Sequence, residues 1–259
     1  MTPPAAFTIV IPTYNERDRL GVLLARLFDA CDREALAVEV VIVDDNSADG
    51  TGGVADEWAR SRRVRVIHRV GKLGLGSAVL EGFAIAQTDV VGVMDGDLSH
   101  PPELLPLLFR TIADGNFDLA VASRYVRGGR TSNFPIGRWL LSRAGCWLAR
   151  PLTPVRDPMS GFFLIRRARL AGVRTSVTGF KIGLELFVRS TPRRLAEVGY
   201  VFVGRTHGES KMSVAEGSGF LRQLLSLYRD AMTTPVRRPA YVTVSTAQDP
   251  AASASLSGA

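Results

Sequence analysis

Cysteine and long apolar runs are what this 259-residue chain has least of. Its two cysteines, Cys31 and Cys146, stand in helical-looking segments without metal-ligand spacing, so they read as packing residues suited to a reduced cytosolic compartment. The longest apolar stretches, such as EVVIVDD and DVVGVMD, break after about half a dozen residues, far short of the roughly 20 that a membrane-spanning helix requires. The opening MTPPAAFTIVIP lacks a basic leader followed by a long apolar stretch and does not read as a secretion signal. No internal repeat is evident. Zinc-finger spacing and RNP-like aromatic patterns are also missing, and the arginines are scattered, so nucleic acid is not the expected partner.

The chain is 46% hydrophobic and 22% charged, enough to bury a substantial core in one large domain. Thirty-two basic side chains against 25 acidic ones leave a formal charge of +7, which favours an anionic partner without naming it. Short β-branched runs alternate with amphipathic ones: FTIVIP, RLGVLLARLFDAC, VEVVIVDD, GGVADEWARS, VRVIH, GSAVLEGFAIAQ and DVVGVMD. That alternation predicts βαβ units, hence an α/β fold with a mainly parallel sheet and helices on both faces. A single domain is expected over residues 7–232, preceded by a short extension at 1–6. Residues 233–259, rich in Ala, Ser and Pro, read as a disordered tail.

Polar clusters fall where the strands end, the place at which ligands collect on such sheets. PTYNE follows the first strand, DDNSADGT the second, GKLGLGSA the third and DGDLSH the fourth. Singly, each has a plainer explanation. Asp49 and Gly50 can make a turn or cap a helix, Pro12 can end a strand, Glu16 can favour a helix start, and GLG can serve close packing. Asp95 and Asp97 are harder to explain in that way, because like charges so close repel unless a cation, proton or hydrogen bonds compensate. The hard oxygen chemistry of Mg²⁺ or Mn²⁺ suits Asp95, Asp97 and, two residues on, Ser99.

Together PTYNE, VIVDDNSADGT, KLGLGSA, MDGDLSHPPE, GNFDLAVASRY, SGF and GESKM resemble family 2 glycosyltransferases, specifically the dolichol-phosphate or polyprenol-phosphate mannosyltransferases, over about residues 7–230. The resemblance implies a GT-A fold and an inverting, metal-dependent transfer of mannose from GDP-mannose to a polyprenyl phosphate. It also implies that Asp97, helped by Asp95, holds the ion on the donor diphosphate, with Ser99 at the position where relatives carry Gln or Ser. Pro12, Tyr14, Glu16 and Asp45, with Lys72 and Gly74 of KLGLGSA, match nucleotide-binding positions. Arg124, Arg138, Ser142 and Arg205 match contacts to the acceptor phosphate or donor diphosphate, with Lys211 beside them. An arginine of this kind can equally be a solvated residue paired with a surface acid. Asp157 in RDPMSGF could orient an arginine, touch the sugar or cap a helix, and His207 reads as structural.

A polyprenyl phosphate is already an anionic nucleophile, so this chemistry asks for positioning and charge neutralisation instead of a strong base. The segment FPIGRWLLSRAGCWLAR, residues 134–150, has the composition of a helix lying at a membrane interface or of an amphipathic helix packed on the sheet. GFLRQLLSLYRDAM, residues 219–232, is a second amphipathic segment. Association with the cytoplasmic face of a membrane, peripheral or through an anchoring partner, is the resulting expectation. A related transferase using UDP-glucose, another nucleotide sugar or another phosphorylated acceptor is the nearest alternative, and a non-catalytic nucleotide-sugar-binding subunit lies further off.

Overall fold

The structure, a computed structural model, describes residues 6–132, 136–175, 181–203, 214–233 and 239–244. Its frame is set by β1 (Phe7–Thr13), β2 (Val38–Asp44), β3 (Val64–His68) and β4 (Val90–Val93), which lie in the order β3-β2-β1-β4 and pair in parallel. β1, β2 and β4 read as near-continuous apolar runs because they are covered on both faces. Connecting them are α1 (Arg17–Arg33), α2 (Thr51–Ser61) and α3 (Leu75–Ile85). In α1 the residues Leu20, Leu23, Leu24, Leu27 and Cys31 recur at helical spacing and are buried, which turns one stripe to the sheet.

The sheet continues beyond β4 as β7 (Phe163–Arg166), β5 (Leu119–Ser123), β8 (Arg194–Gly199) and β10 (Ala240–Val244). β7 alone runs antiparallel to its neighbours β4 and β5. One apolar cluster unites α1 and α4 (Leu105–Ala113) with one face of the sheet. A second unites α3 and α6 (Ile182–Arg189) with the other face. The two-sided α/β architecture is therefore as expected. Close approach is built in at Gly82, where a β-carbon would stand 2.5 Å from Val10 Cγ1 as α3 crosses β1.

A third cluster joins α6 to α5 (Ile136–Ala149) and α7 (Val214–Thr233) through Ala149, Leu184, Leu224 and Leu227. β6 (Arg130–Ser132) and β9 (Val201–Val203) form a separate two-stranded ribbon. The expectation of disorder over 233–259 is corrected at Ala240–Val244, which pairs with β8 in parallel register. The segment AYVTV has β-branched and aromatic residues that fit a half-buried edge, a local signal masked by the Ala/Ser/Pro composition around it.

The strand order reverses about β1, whose neighbours are β2 on one side and β4 on the other. A crevice opens at such a switch point, beyond the carboxyl ends of the strands. PTYNE and DGDLSH therefore sit side by side on its rim.

Candidate active site

The first two loops of the rim are clasped together. Asn15, held at φ 56°, donates its N–H to Ser47 Oγ at 2.9 Å, and its side-chain Oδ1 accepts the Ala48 N–H at 3.2 Å. Asp49 accepts the N–H groups of Arg17 and Thr51, so it serves as the turn-forming residue its DG context suggests. Asp44 is likewise committed, accepting from Thr13 and Ser47. Glu16 precedes α1 and pairs with Arg19 at 2.8 Å, the helix-start role.

Asp45 faces the third loop. Arg69 contacts one of its oxygens at 2.5 Å and the Gly74 N–H donates to the other at 2.9 Å. Arg69 also donates to Ser77 Oγ at 2.7 Å, so this buried pair ties the end of β2 to the start of α3. Gly74, at φ 94°, supplies the backbone that L side chains adopt only with strain. Lys72 places its Nζ 3.8 Å from the centre of the exposed Tyr14 ring, so the first and third loops meet at a basic lip.

Asp95 and Asp97 leave the end of β4 beside these loops. A β-carbon on Gly96 would lie 3.4 Å from the Pro12 carbonyl oxygen, so the acidic turn packs directly on the end of β1. Leu98 adopts φ 64°, and the chain folds back so that both the N–H and hydroxyl of Ser99 donate to Asp97 Oδ1, at 3.0 and 2.5 Å. Ser99 thus orients Asp97. The Asp95 side chain is 32% exposed, and Gly161 of SGF gives it room, since a β-carbon there would stand 3.2 Å from Asp95 Oδ1.

Buried behind the pair is His100. It stacks on Phe162 and meets Tyr200 and Phe202 edge-on. Its Nδ1 accepts the Asp95 N–H at 3.2 Å, which leaves the ring proton on Nε2, 3.8 Å from Asp95 Oδ2. Burial above all holds the imidazole below its ordinary pKa; Asp95 and Asp97 pull it upward and Arg124 pushes it further down. The ring is therefore neutral near pH 7.

Asp95 and Asp97 are a pair of hard oxygen donors, and His100 stands behind them, bonded to the Asp95 backbone. Among the described residues no group of three His, Cys, Asp or Glu side chains gathers in metal-binding array. That fits Mg²⁺ or Mn²⁺ held by one or two carboxylates, with the rest of its shell drawn from phosphate and water, and it does not fit a closed structural zinc site.

Across the aromatic cluster lies Arg124, at the end of β5. Asp157 holds it by Nε and Nη2, both at 2.7 Å, and also accepts its backbone N–H at 2.9 Å. Asp157 is fully buried. Burial alone would lower the guanidinium pKa, but the Asp157 carboxylate outweighs it and raises it well above its ordinary value, so the charge is permanent. The guanidinium lies against the rings of Tyr125 and Phe202. Ser142 of α5 accepts from Tyr125 Oη at 3.0 Å and from Arg124 Nη2 at 3.4 Å, which ties α5 to the rim.

Of the residues singled out in sequence, Pro12 lies within β1, one residue before its end, and Tyr14, Glu16, Asp45, Lys72 and Gly74 lie on the first three loops. Asp95, Asp97 and Ser99 form the acidic turn, and Arg124 and Ser142 meet across the cluster. Asp157 pairs with Arg124, which agrees with the first of its three readings. Arg138 is on α5, though its side chain lies outside the described residues, as do Arg205, His207 and Lys211. Both cysteines are buried, and burial first, then nearby acids, pushes each thiol up to about 12. Sequence reasoning missed His100 and Arg69. The first was visible as a histidine inside the acidic motif, the second as an arginine immediately after β3.

A profile of the family described as glycosyl transferase family 2 matches residues 8–182. The dolichol-phosphate mannosyltransferase of Pyrococcus furiosus is 40% identical over 226 residues, covering 86% of this chain and 62% of that protein, so the chain spans under two thirds of that relative's length. The dolichol-phosphate mannosyltransferase of Saccharomyces cerevisiae is 39% identical over 233 residues, covering 86% of each. Among solved structures, a mannosyltransferase from Pyrobaculum calidifontis, crystallised with GDP-Man and Mn²⁺, shares the fold with a TM-score of 0.59 at 18% identity, over 92% of this chain and 67% of that one. With the profile covering the acidic turn, Arg124 and Asp157 alike, the chain belongs to glycosyl transferase family 2.

Proposed function

We propose that this chain transfers mannose from GDP-mannose to a polyprenyl phosphate, with inversion at the anomeric carbon, in a reaction that requires Mg²⁺ or Mn²⁺. The observation that carries the reading is the division of the rim into an acidic pair and a buried, permanently charged arginine, separated by one aromatic cluster. Asp97 and Asp95 would hold the cation, and Ser99 fixes the Asp97 carboxylate in place. When bound, the ion neutralises charge gathering on the departing nucleoside diphosphate.

The other tasks fall to side chains. Asp45, steadied by Arg69, keeps lone pairs for hydroxyl or base donors of the nucleotide, and Lys72 over Tyr14 lines the entrance. Arg124, its Nε and Nη2 held by Asp157, keeps a fixed positive charge on the opposite side, where two anionic phosphates must approach one another in a partly dry site. Arg138, Arg205 and Lys211 are assigned to the same phosphate work. The acceptor oxygen attacks as an anion, so none of these residues needs to remove a proton.

The lipid is expected at α5 and α7. Ile136, Leu140, Leu141 and Trp147 of α5 are exposed, as are Leu221, Leu225 and Met232 of α7, with Arg143, Arg150 and Arg222 among them. Among the described residues of α5, the buried ones are the small Gly145, Cys146 and Ala149. An exposed face of this make-up favours peripheral docking on an anionic bilayer, and two unpaired thiols suit its cytoplasmic side. No helix among the described residues is long and apolar enough to cross a membrane.

The test is a panel of nucleotide sugars offered with Mn²⁺ and a short polyprenyl phosphate, read by mass spectrometry. A single mannosylated lipid phosphate from GDP-mannose is the expected product. Best turnover with UDP-glucose would replace the donor assignment, and donor binding without any turnover would indicate a binding subunit.

A further inference from the structure

Glu197, in the middle of β8, is fully buried, and among the described residues it forms no ion pair. Its oxygens instead collect neutral donors. Arg156 N–H lies at 2.7 Å from Oε2 and Asp157 N–H at 3.0 Å from Oε1, while Tyr241 Oη donates to Oε2 at 2.7 Å and the Ser123 hydroxyl adds a further bond. Burial pushes this carboxyl above its ordinary pKa, against those hydrogen bonds. A buried carboxylate without a cation is a costly way to fill a sheet, and an apolar side chain would pack there at no such penalty.

The donors it gathers indicate what it is for. Two are the backbone N–H groups of Asp157 and its neighbour, and Asp157 is the residue that grips Arg124 by two side-chain bonds and one backbone bond. Tyr241 comes from outside the βα frame. It belongs to β10, the edge strand, whose only neighbour in the sheet among the described residues is β8. In that register Thr243 stands opposite Glu197, and Tyr241, two residues earlier, reaches along the edge to the carboxylate.

We propose that Glu197 and Tyr241 are positioning residues for Arg124, so that the docked C-terminal strand β10 is a working part of the site. Tyr241 fixes Glu197, Glu197 fixes the backbone at 156–157, and Asp157 fixes the guanidinium. This rests on the reading of Arg124 as a phosphate-binding residue. A merely structural Tyr241 would lower the melting temperature without touching anything specific to Arg124.

The experiment uses the full chain and Tyr241→Phe, each alone and combined with Arg124→Lys. ¹⁵N NMR of the arginine Nε–H region supplies a readout independent of activity, with the Arg124 signal identified by its loss in Arg124→Lys. The account expects that signal to shift in Tyr241→Phe and its exchange with water to rise about ten-fold. Turnover with GDP-mannose, Mn²⁺ and a short polyprenyl phosphate should fall about ten-fold, with the KM for GDP-mannose changing less than about two-fold. On the Arg124→Lys background the same change should cost less than about two-fold, because its effect runs through Arg124. An unmoved Arg124 signal, or an equal ten-fold loss in both backgrounds, overturns the proposal. If the unmodified chain turns over no donor, the functional reading fails while the NMR arm still decides the relay. Should Tyr241→Phe fail to fold, Glu197→Asp, which keeps the charge and shortens its reach, must displace the same signal.

Discussion

The acidic and basic halves of the rim differ in how far the chain must travel to build them. The acidic half is made by successive βα loops: Thr13 bonds Asp44, Asp45 bonds Arg69 and Gly74, and each partner lies in the next unit along. Arg124 depends instead on Ser142 of α5, on Asp157 ahead of the antiparallel β7, on Glu197 of β8 and on Tyr241 of the edge strand. Successive βα units thus build the proposed donor half where their loops converge. The proposed acceptor half is closed by buried polar pairs between distant segments.

If the halves are separable, variants should divide accordingly. The largest effect is expected from Asp97→Asn, which keeps Oδ1 as acceptor for Ser99 and so leaves the turn intact while removing the charge. Metal-dependent turnover should fall on the order of a thousand-fold without change in the circular dichroism spectrum. Unchanged turnover would reject the metal role.

Asp157→Asn should act on the other half through stability. It leaves a buried guanidinium without its counter-charge, and the expected loss is about 3 kcal/mol in urea unfolding, with Mn²⁺-dependent nucleotide binding retained. An equal loss of nucleotide binding would show that the halves are one unit.

Trp147→Ser sharpens the comparison at the outer surface, since this residue is 74% exposed on α5 and far from the acidic turn in the chain. Binding to vesicles containing anionic lipid should weaken about ten-fold by sedimentation. No change would mean that this face does not meet the bilayer.

The smallest effect is reserved for Asp118, at the opposite end of the strand that carries Arg124. Burial alone would raise its pKa, but the N–H groups of Arg193 and Arg194 and the Arg169 side chain outweigh that and hold it below the ordinary carboxylate range. A depressed folded pKa contributes stability above the unfolded value near 4, and that contribution is lost as pH falls through the folded one. Asp118→Asn should therefore cost about 1 kcal/mol at pH 7 and progressively less toward pH 3, by thermal unfolding across that range.

The same division governs what the residues alone reveal. Strands β1 to β4 and their helices carry period and turn chemistry in every segment, and the acidic turn is legible because two neighbouring carboxylates demand compensation. Asp157, Glu197 and Tyr241 carry no such mark. Their meaning lies in partners 33, 40 and 44 residues away, and no local period encodes those pairings. Tyr241 was further hidden by the composition of the segment around it, which resembles an unstructured tail. His100 was the more accessible omission, since a histidine next to an acidic turn and followed by two prolines has few places to go but inward.

The account stands on the acidic half holding a divalent cation that the arginine half does not need. Electron paramagnetic resonance of Mn²⁺ with GDP, compared for the unmodified chain, Asp97→Asn and Asp157→Asn, tests that directly. Bound Mn²⁺ in the first and third and none in the second is the predicted result; Mn²⁺ retained by Asp97→Asn, or released by Asp157→Asn while it remains folded, would contradict it.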